Sequence, residues 1–536
     1  MDKNRILQRI KRLFIRQSVS EAAILITILA AVSKVIGFLR EMMIAAFFGA
    51  RKFTDSFVVA NAVPGVLAGL VSGALSSVFI PLYAEWREKK GKEEAERFAG
   101  ILLSNISVLL FLMTILSYFI APYIIDILAP GFNEETKNLT LNFTYIMLPG
   151  IIFWGTYGII AGIYNSQKSF VIPNIAGVLG NAVFILCIFL FHNKIGAYIL
   201  PWGYLANVIF QYFLLLPGLR RIHFKLRGEV NFRYEGMKKA LYLIGPILLG
   251  QSMGILNMAV DRIFGSFLPE GSISALNYAS RIYHLPINLF VNAVATAIYT
   301  EFAFNAQSNN MDSLKSSMEK SLRAVLFFVI PSTFGFIFLA NPIVRLAFQR
   351  GAFDALATQR TAECLIFYSI GLTFMSINPI MVRAFYALHD TKTPTINSMI
   401  ALLSNIVLNF LFIRPLAHKG LALATSIASI ISTILLYRSL KKKIPEPFSK
   451  DMMKNILRFV FGGILIGVLA LISFNLLSVY LSKGQITFAI SLLFSVGIAA
   501  LFYLYLGNRW KIEEAKRIFN IIKKNLEVIT HFLSLK

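Results

Sequence analysis

The chain has 536 residues, 57% of them hydrophobic and only 15% charged, with a mean hydropathy of +0.67 and a net charge of +25. About a quarter of the residues in a soluble domain are charged, so this composition excludes a water-soluble globular protein. Recurrent apolar stretches of about 18–25 residues, each long enough for a bilayer, also exclude a barrel of short alternating strands.

In chain order the hydropathy pattern predicts fourteen membrane-spanning helices, at about 21–49, 54–85, 98–124, 140–165, 172–192, 196–217, 240–267, 273–304, 320–340, 356–387, 394–414, 418–438, 453–480 and 484–507. The first run is too long for a cleavable signal peptide and carries Lys34, Arg40 and Glu41, so it is expected to stay in the membrane. Residues 508–536 predict an interfacial helix, with Ala515, Ile518, Phe519, Ile522, Leu526, Ile529 and Leu533 on one face and Lys516, Arg517, Lys523 and Lys524 off it. Cys187 and Cys364 fall inside apolar segments and read as small core residues.

The basic residues are not spread evenly. Of 52 Lys and Arg, 31 fall in 1–20, 86–97, 219–239, 438–454 and 508–536, while connections of the opposite parity hold 10. This asymmetry follows the positive-inside rule and predicts both termini in the cytoplasm. It accounts for the basicity as topology, without a nucleic-acid partner.

An internal repeat is expected. Ala121-Pro122 with Gly131 recurs as Asn341-Pro342 with Gly351, Gly180-Asn181 as Ser404-Asn405, Gly196-Ala197 as Gly420-Leu421, and Pro64 as Pro286, at offsets of about 220–224 residues. Six spans per unit make the copies parallel, a transporter arrangement with a central cavity. The domains drawn from it are 1–218, 219–440 and an added 441–536.

Charges inside the spans mark the candidate site. A cation at the bilayer centre costs roughly 2.5–3.5 kcal/mol on insertion scales. Lys34 and Arg40 in the first span and Arg281 in the eighth therefore need partners, water or an anionic cargo. Lys34, Gly37 and Glu41 share a helix face with Arg40 a third of a turn away, and His284 lies one turn from Arg281. Asp55 opens the second span, where helix capping competes with a role in the cavity. Arg383 and Glu363 in the tenth span are expected to pair or to line the cavity. No P-loop, zinc-protease or serine-hydrolase motif occurs, so neither ATP hydrolysis by the chain nor catalysis is expected, and no metal or cofactor is called for.

Several stretches resemble the MurJ/MviN lipid II flippases of the multidrug/oligosaccharidyl-lipid/polysaccharide exporter superfamily. They are Ser33-Lys34-Val35-Ile36-Gly37-Phe38-Leu39-Arg40-Glu41, Phe48-Gly49-Ala50, Thr54-Asp55-Ser56-Phe57, Ala279-Ser280-Arg281 with Pro286, Phe348-Gln349-Arg350-Gly351-Ala352-Phe353-Asp354, and Arg383 through Pro394. The resemblance implies a V-shaped pair of lobes, with the last two helices forming a groove for a polyprenyl tail. It implies a multi-pass protein of the cytoplasmic (inner) membrane that moves undecaprenyl-diphosphate-linked peptidoglycan precursor to the outer leaflet. Lys34, Arg40 and Arg281 would be basic cavity positions, with Glu41 and Asp55 the acidic ones and His284 beside them. Membrane lipids and the cell-wall synthesis machinery are the partners it suggests, and membrane potential or a monovalent cation the driving force. A flippase for another polyprenyl-linked oligosaccharide, or a drug/cation antiporter of the same superfamily, is the alternative.

Overall fold

A computed structural model describes residues 19–520, apart from 223, 226, 227, 309, 445, 482 and 483. Among the described residues every regular element is a helix. Helices α1 (Val19–Phe48), α2 (Lys52–Ala60) and α3 (Ala62–Leu128) come first. At 1.5 Å per residue the 67 residues of α3 would reach about 100 Å if straight, three times a bilayer core. They fold back instead at Gly91, whose φ of 85° is open to glycine and strained for other residues. The reversal stacks Phe79 on Phe98, with ring centroids 6.1 Å apart.

Next come α4 (Glu134–Met147) and α5 (Gly150–Ser166), bent by 43° at their junction, then α6 (Val171–Ile195), α7 (Ile199–Arg221) and α8 (Glu235–Ser266). Helix α9 (Ser272–Pro286) passes through a π-helical turn, Ile287–Val291, into α10 (Asn292–Gln307). The chain continues through α11 (Met311–Phe338), α12 (Ala340–Phe348), α13 (Ala355–Ala387), α14 (Lys392–Leu416), α15 (His418–Lys441), α16 (Lys450–Leu481) and α17 (Gln485–Arg509). Nine described segments are long and apolar enough to cross a membrane, and the bent α4–α5 pair adds a tenth. Two of the nine, of 77 and 50 residues, contain the breaks at Gly91 and Gly196. The helices are thus consistent with fourteen crossings. Beyond α17, residues 513–520 are helical, with Ala515 buried and Phe519 exposed; Ile522, Leu526, Ile529, Leu533, Lys523 and Lys524 lie outside the described residues.

Two compact units form. The first runs up to Ser274 and also takes in Arg350–Phe353; the second holds Ala275–Gln349 and the chain from Asp354 onward. In the first, α3 packs against α5 and α8, and α6 against α1 and α7. In the second, α15 packs against α13 and α14, and α16 against α11 and α17.

The backbone fixes the offset of the internal repeat. Helices α6 and α14 are each 25 residues long and begin 221 residues apart. Before them, Lys168 (φ 59°) and His389 (φ 57°) are both left-handed, and Ser169 and Asp390 both donate N–H to a carbonyl five residues back, Tyr164 and Phe385, at 2.9 Å. After them, Gly196 (φ 57°, ψ −136°) matches Ala417 (φ 49°, ψ −130°). The expected match of Gly196 to Gly420, and with it Asn181 to Asn405, is therefore displaced by three residues. Ala417 holds the turn although it is not glycine, so the residue type misleads while the conformation repeats.

Candidate functional site

Arg40 is the centre of a polar group inside the first unit. Its Nη1 donates to Asn181 Oδ1 of α6 at 2.9 Å and its Nη2 to Glu41 Oε1 at 2.7 Å. The guanidinium lies 5.4 Å from the Phe184 ring centroid. Glu41 is 6% exposed, whereas the Arg40 side chain keeps 24% of its surface. Its buried Nε has no hydrogen-bond partner. Asn181 in turn donates to Gly177 O at 2.9 Å, which fixes the amide with its oxygen toward Arg40. Lys34 lies on the same helix, exposed. The guanidinium carries five donors and is anchored through two of its three nitrogens, the third being buried.

Asp55 does different work. It is 3% exposed, and its Oδ2 accepts the Gly271 N–H at 2.6 Å while Oδ1 accepts the Ser274 N–H at 2.7 Å and its hydroxyl at 2.5 Å. Rather than capping its own helix, Asp55 satisfies the orphan donors at the start of α9, more than 200 residues away in sequence. Around it three backbone segments close on one another. Ala352 N–H donates to Ala46 O at 2.7 Å, and a Cβ added at left-handed Gly351 would run into that same carbonyl oxygen. These are the segments Phe48-Gly49-Ala50, Thr54-Asp55 and Arg350-Gly351-Ala352-Phe353, so three of the stretches that carry the family resemblance meet in one junction within the first unit.

In the second unit, Arg281 is exposed on α9. His284 Nδ1 lies 2.8 Å from Ser280 O of its own helix, and its ring packs on Tyr283 at 4.1 Å between centroids. Arg383 does not pair with Glu363. It sits 5.6 Å from the Tyr299 ring centroid and 3.4 Å from Thr296 Oγ1. Glu363 instead meets His418 Nε2 at 3.1 Å and Lys419 Nζ at 3.5 Å, at the start of α15. Sequence reasoning missed Asn181 as the partner of Arg40 and His418 as the partner of Glu363. The available signal was an amide or imidazole within an apolar helix, where such groups hydrogen-bond across helices.

Two of the basic connections are also tied together. Arg97 grips Glu229 with Nε at 2.8 Å and Nη2 at 3.0 Å, which holds the Glu229 carboxyl below its ordinary range. Trp86 Nε1 donates to Tyr234 Oη at 2.8 Å, and Tyr234 donates to Glu94 at 2.9 Å. Asn105 and Asn231 exchange side-chain-to-backbone hydrogen bonds at 2.8 and 2.9 Å. The connection after α7 is thus clamped onto the reversal at Gly91.

Long apolar helices with cations held on them define the class, a multi-pass membrane transporter. The fold is shared with an inward-facing multidrug resistance MATE family transporter of the MOP superfamily, at 15% identity and a TM-score of 0.65, over 77% of this chain and 95% of that one. Within that class the chain belongs to the family described as lipid II flippase MurJ, whose model matches residues 44–479; its members are transporters and not enzymes. A probable lipid II flippase MurJ of Buchnera aphidicola subsp. Acyrthosiphon pisum is 29% identical, over 93% of this chain and 98% of its own length. Lipid II flippase MurJ of Thermosipho africanus is 31% identical, over 82% and 90%. The solved structure of a lipid II flippase MurJ in an inward closed conformation is 30% identical, with a TM-score of 0.74 over 91% of this chain and 99% of that one.

Proposed function

We propose that this protein is a lipid II flippase, carrying undecaprenyl-diphosphate-linked peptidoglycan precursor from the inner to the outer leaflet of the cytoplasmic membrane by alternating access. The observation that carries the reading, beside membership of the family, is Arg40. Its guanidinium is fixed by Asn181 and Glu41, and the side chain keeps 24% of its surface exposed. A bidentate guanidinium–phosphate contact is the strong form of diphosphate recognition. Lys34 and Arg281 supply further positive charge to the headgroup, and His284 lies beside Arg281. Asp55, whose oxygens are both occupied, acts as a positioning residue for α9.

The functional division follows the repeat: lobes 1–218 and 219–440, and 441–536 offering the tail groove. Both termini lie in the cytoplasm in this reading, membrane potential or a monovalent cation drives the cycle, and the cell-wall synthesis machinery consumes the product. Complementation of a strain depleted of its own lipid II flippase tests it. The wild-type chain should restore growth, while Arg40→Ala and Arg281→Ala should fail at near-normal expression, and Arg40→Lys should rescue only in part. Growth supported by both alanine variants would refute the clamp. Failure of well-expressed wild type would assign another lipid-linked glycan.

A further inference from the structure

A second polar site lies in the second unit, at the ends of α16 and α17 and the start of the helical stretch after α17. A cavity of about 330 Å³ is lined there by Arg323, Asp451, Lys454, Asn455, Arg458 and Lys511, with Trp510 at its side and Glu513 and Glu514 completing it. The acids are unevenly available. Arg323 Nε meets Glu514 Oε1 at 2.7 Å and its Nη2 reaches Glu513, so one arginine occupies both glutamates. Arg458 Nη1 is held at 3.4 Å from both Asn455 Oδ1 and the Trp510 carbonyl oxygen. Lys454 and Lys511 make no ion pair among the described residues. The lining thus holds four cations, Arg323, Lys454, Arg458 and Lys511, against three acids, Asp451, Glu513 and Glu514, and of the cations only Arg323 is in an ion pair among the described residues.

The surroundings say what kind of anion fits. Leu457 and Phe461, on the turns of α16 beside Lys454 and Arg458, are 64% and 57% exposed. The Phe461 ring lies 6.2 Å from Trp510, an aromatic of the type that collects at membrane–water boundaries. A cationic cup opening onto an exposed apolar helix face suits a molecule with a charged head and a hydrocarbon body. A free phosphate would use the cup and leave that face idle. Lys511 is itself left-handed (φ 58°), turning the chain back so that the helix after α17 closes the cup.

We propose that this cup binds the phosphate of an anionic phospholipid headgroup, with the acyl chains along Leu457 and Phe461. It uses none of the headgroup-binding residues Lys34, Arg40 and Arg281, although Leu457 and Phe461 belong to the 441–536 segment assigned above to the tail groove, and its headgroup chemistry does not depend on which precursor is carried. Basic pockets between membrane helices near the interface take anionic headgroups in this way. The bound lipid would fasten the start of the C-terminal tail to α16 and to Arg323 of α11.

The test is native mass spectrometry of the purified full-length chain, with phosphatidylglycerol or phosphatidylethanolamine added singly. Lys454→Gln/Lys511→Gln removes two cations that have no ion pair to break, and Lys441→Gln/Lys442→Gln is the control of equal charge. Wild type and control should retain phosphatidylglycerol in preference, and the Lys454/Lys511 variant should lose roughly tenfold of that preference. Equal retention of the two lipids by wild type, or an unchanged preference in the Lys454/Lys511 variant, would overturn the site. Loss of preference in the control would assign diffuse surface charge instead. Thermal protection by inorganic phosphate equal to that by phosphatidylglycerol would overturn the lipid assignment.

Discussion

At the scale of single residues, what is buried beside each charge decides its role. Glu41 sits next to Arg40 in sequence and contacts it at 2.7 Å while almost fully covered. Neutralising Glu41 leaves a partly buried guanidinium with one fewer anionic partner, and breaking a charge-assisted hydrogen bond costs about 1–3 kcal/mol. Glu41→Gln should therefore lower the melting temperature by several degrees, measured on detergent-purified protein; an unchanged melting temperature would show that Glu41 is not the stabilising partner of Arg40. That Arg40 needs partners was legible from the sequence, because a guanidinium in an apolar helix is expensive. That Asn181 orients it was not, since 141 residues separate them and hydropathy carries no information on partners.

Elements show the same division. Several helix limits were legible to within a few residues, as for the predicted 394–414 and the observed Lys392–Leu416, because periodic apolarity is a local property, whereas the polar start of the helix at Met311 was missed by the predicted 320–340. The long-range junction around Asp55 was not, because it is made mostly of backbone. Gly351 illustrates this: its φ of 56° and the Ala46 carbonyl beneath it both forbid a side chain. Gly351→Ala should destabilise the protein by about 1–3 kcal/mol through strain and displacement of that contact, seen as a lower melting temperature; wild-type stability would show that the segment yields freely.

Asp390 offers a pH test of the repeated turn before α14. Its carboxyl is pushed down to about 2, first by the Thr393 backbone N–H at 2.9 Å, then by the Thr393 hydroxyl and Lys443. A depressed carboxyl adds stability that is present above its unfolded value and lost as pH falls toward about 2. Asp390→Ala should thus lower stability at pH 7, by about 1 kcal/mol for a lost cap, with the gap between variant and wild type closing in strong acid. A gap that stays constant between neutral and strongly acidic pH would mean that the carboxylate charge contributes nothing.

For the whole molecule, sidedness is directly testable. By the positive-inside rule the five basic segments predict 86–97 in the cytoplasm and 125–139 outside. The structure supplies suitable reporters, because Lys89 and Glu134 have side chains 70% and 87% exposed. Loss of the Lys89–Glu85 contact is tolerable, as Glu85 also pairs with Lys239 at 2.7 Å. In a background lacking Cys187 and Cys364, Glu134→Cys should react with a membrane-impermeant maleimide in intact cells, and Lys89→Cys only after permeabilisation. The two positions flank one odd crossing, the second half of α3, so they must report opposite sides whatever the absolute orientation. Both reacting from outside would break that crossing and with it the fourteen-span topology; reversed labelling would keep the topology and invert the protein, putting the clamped Arg97–Glu229 connection on the outer face.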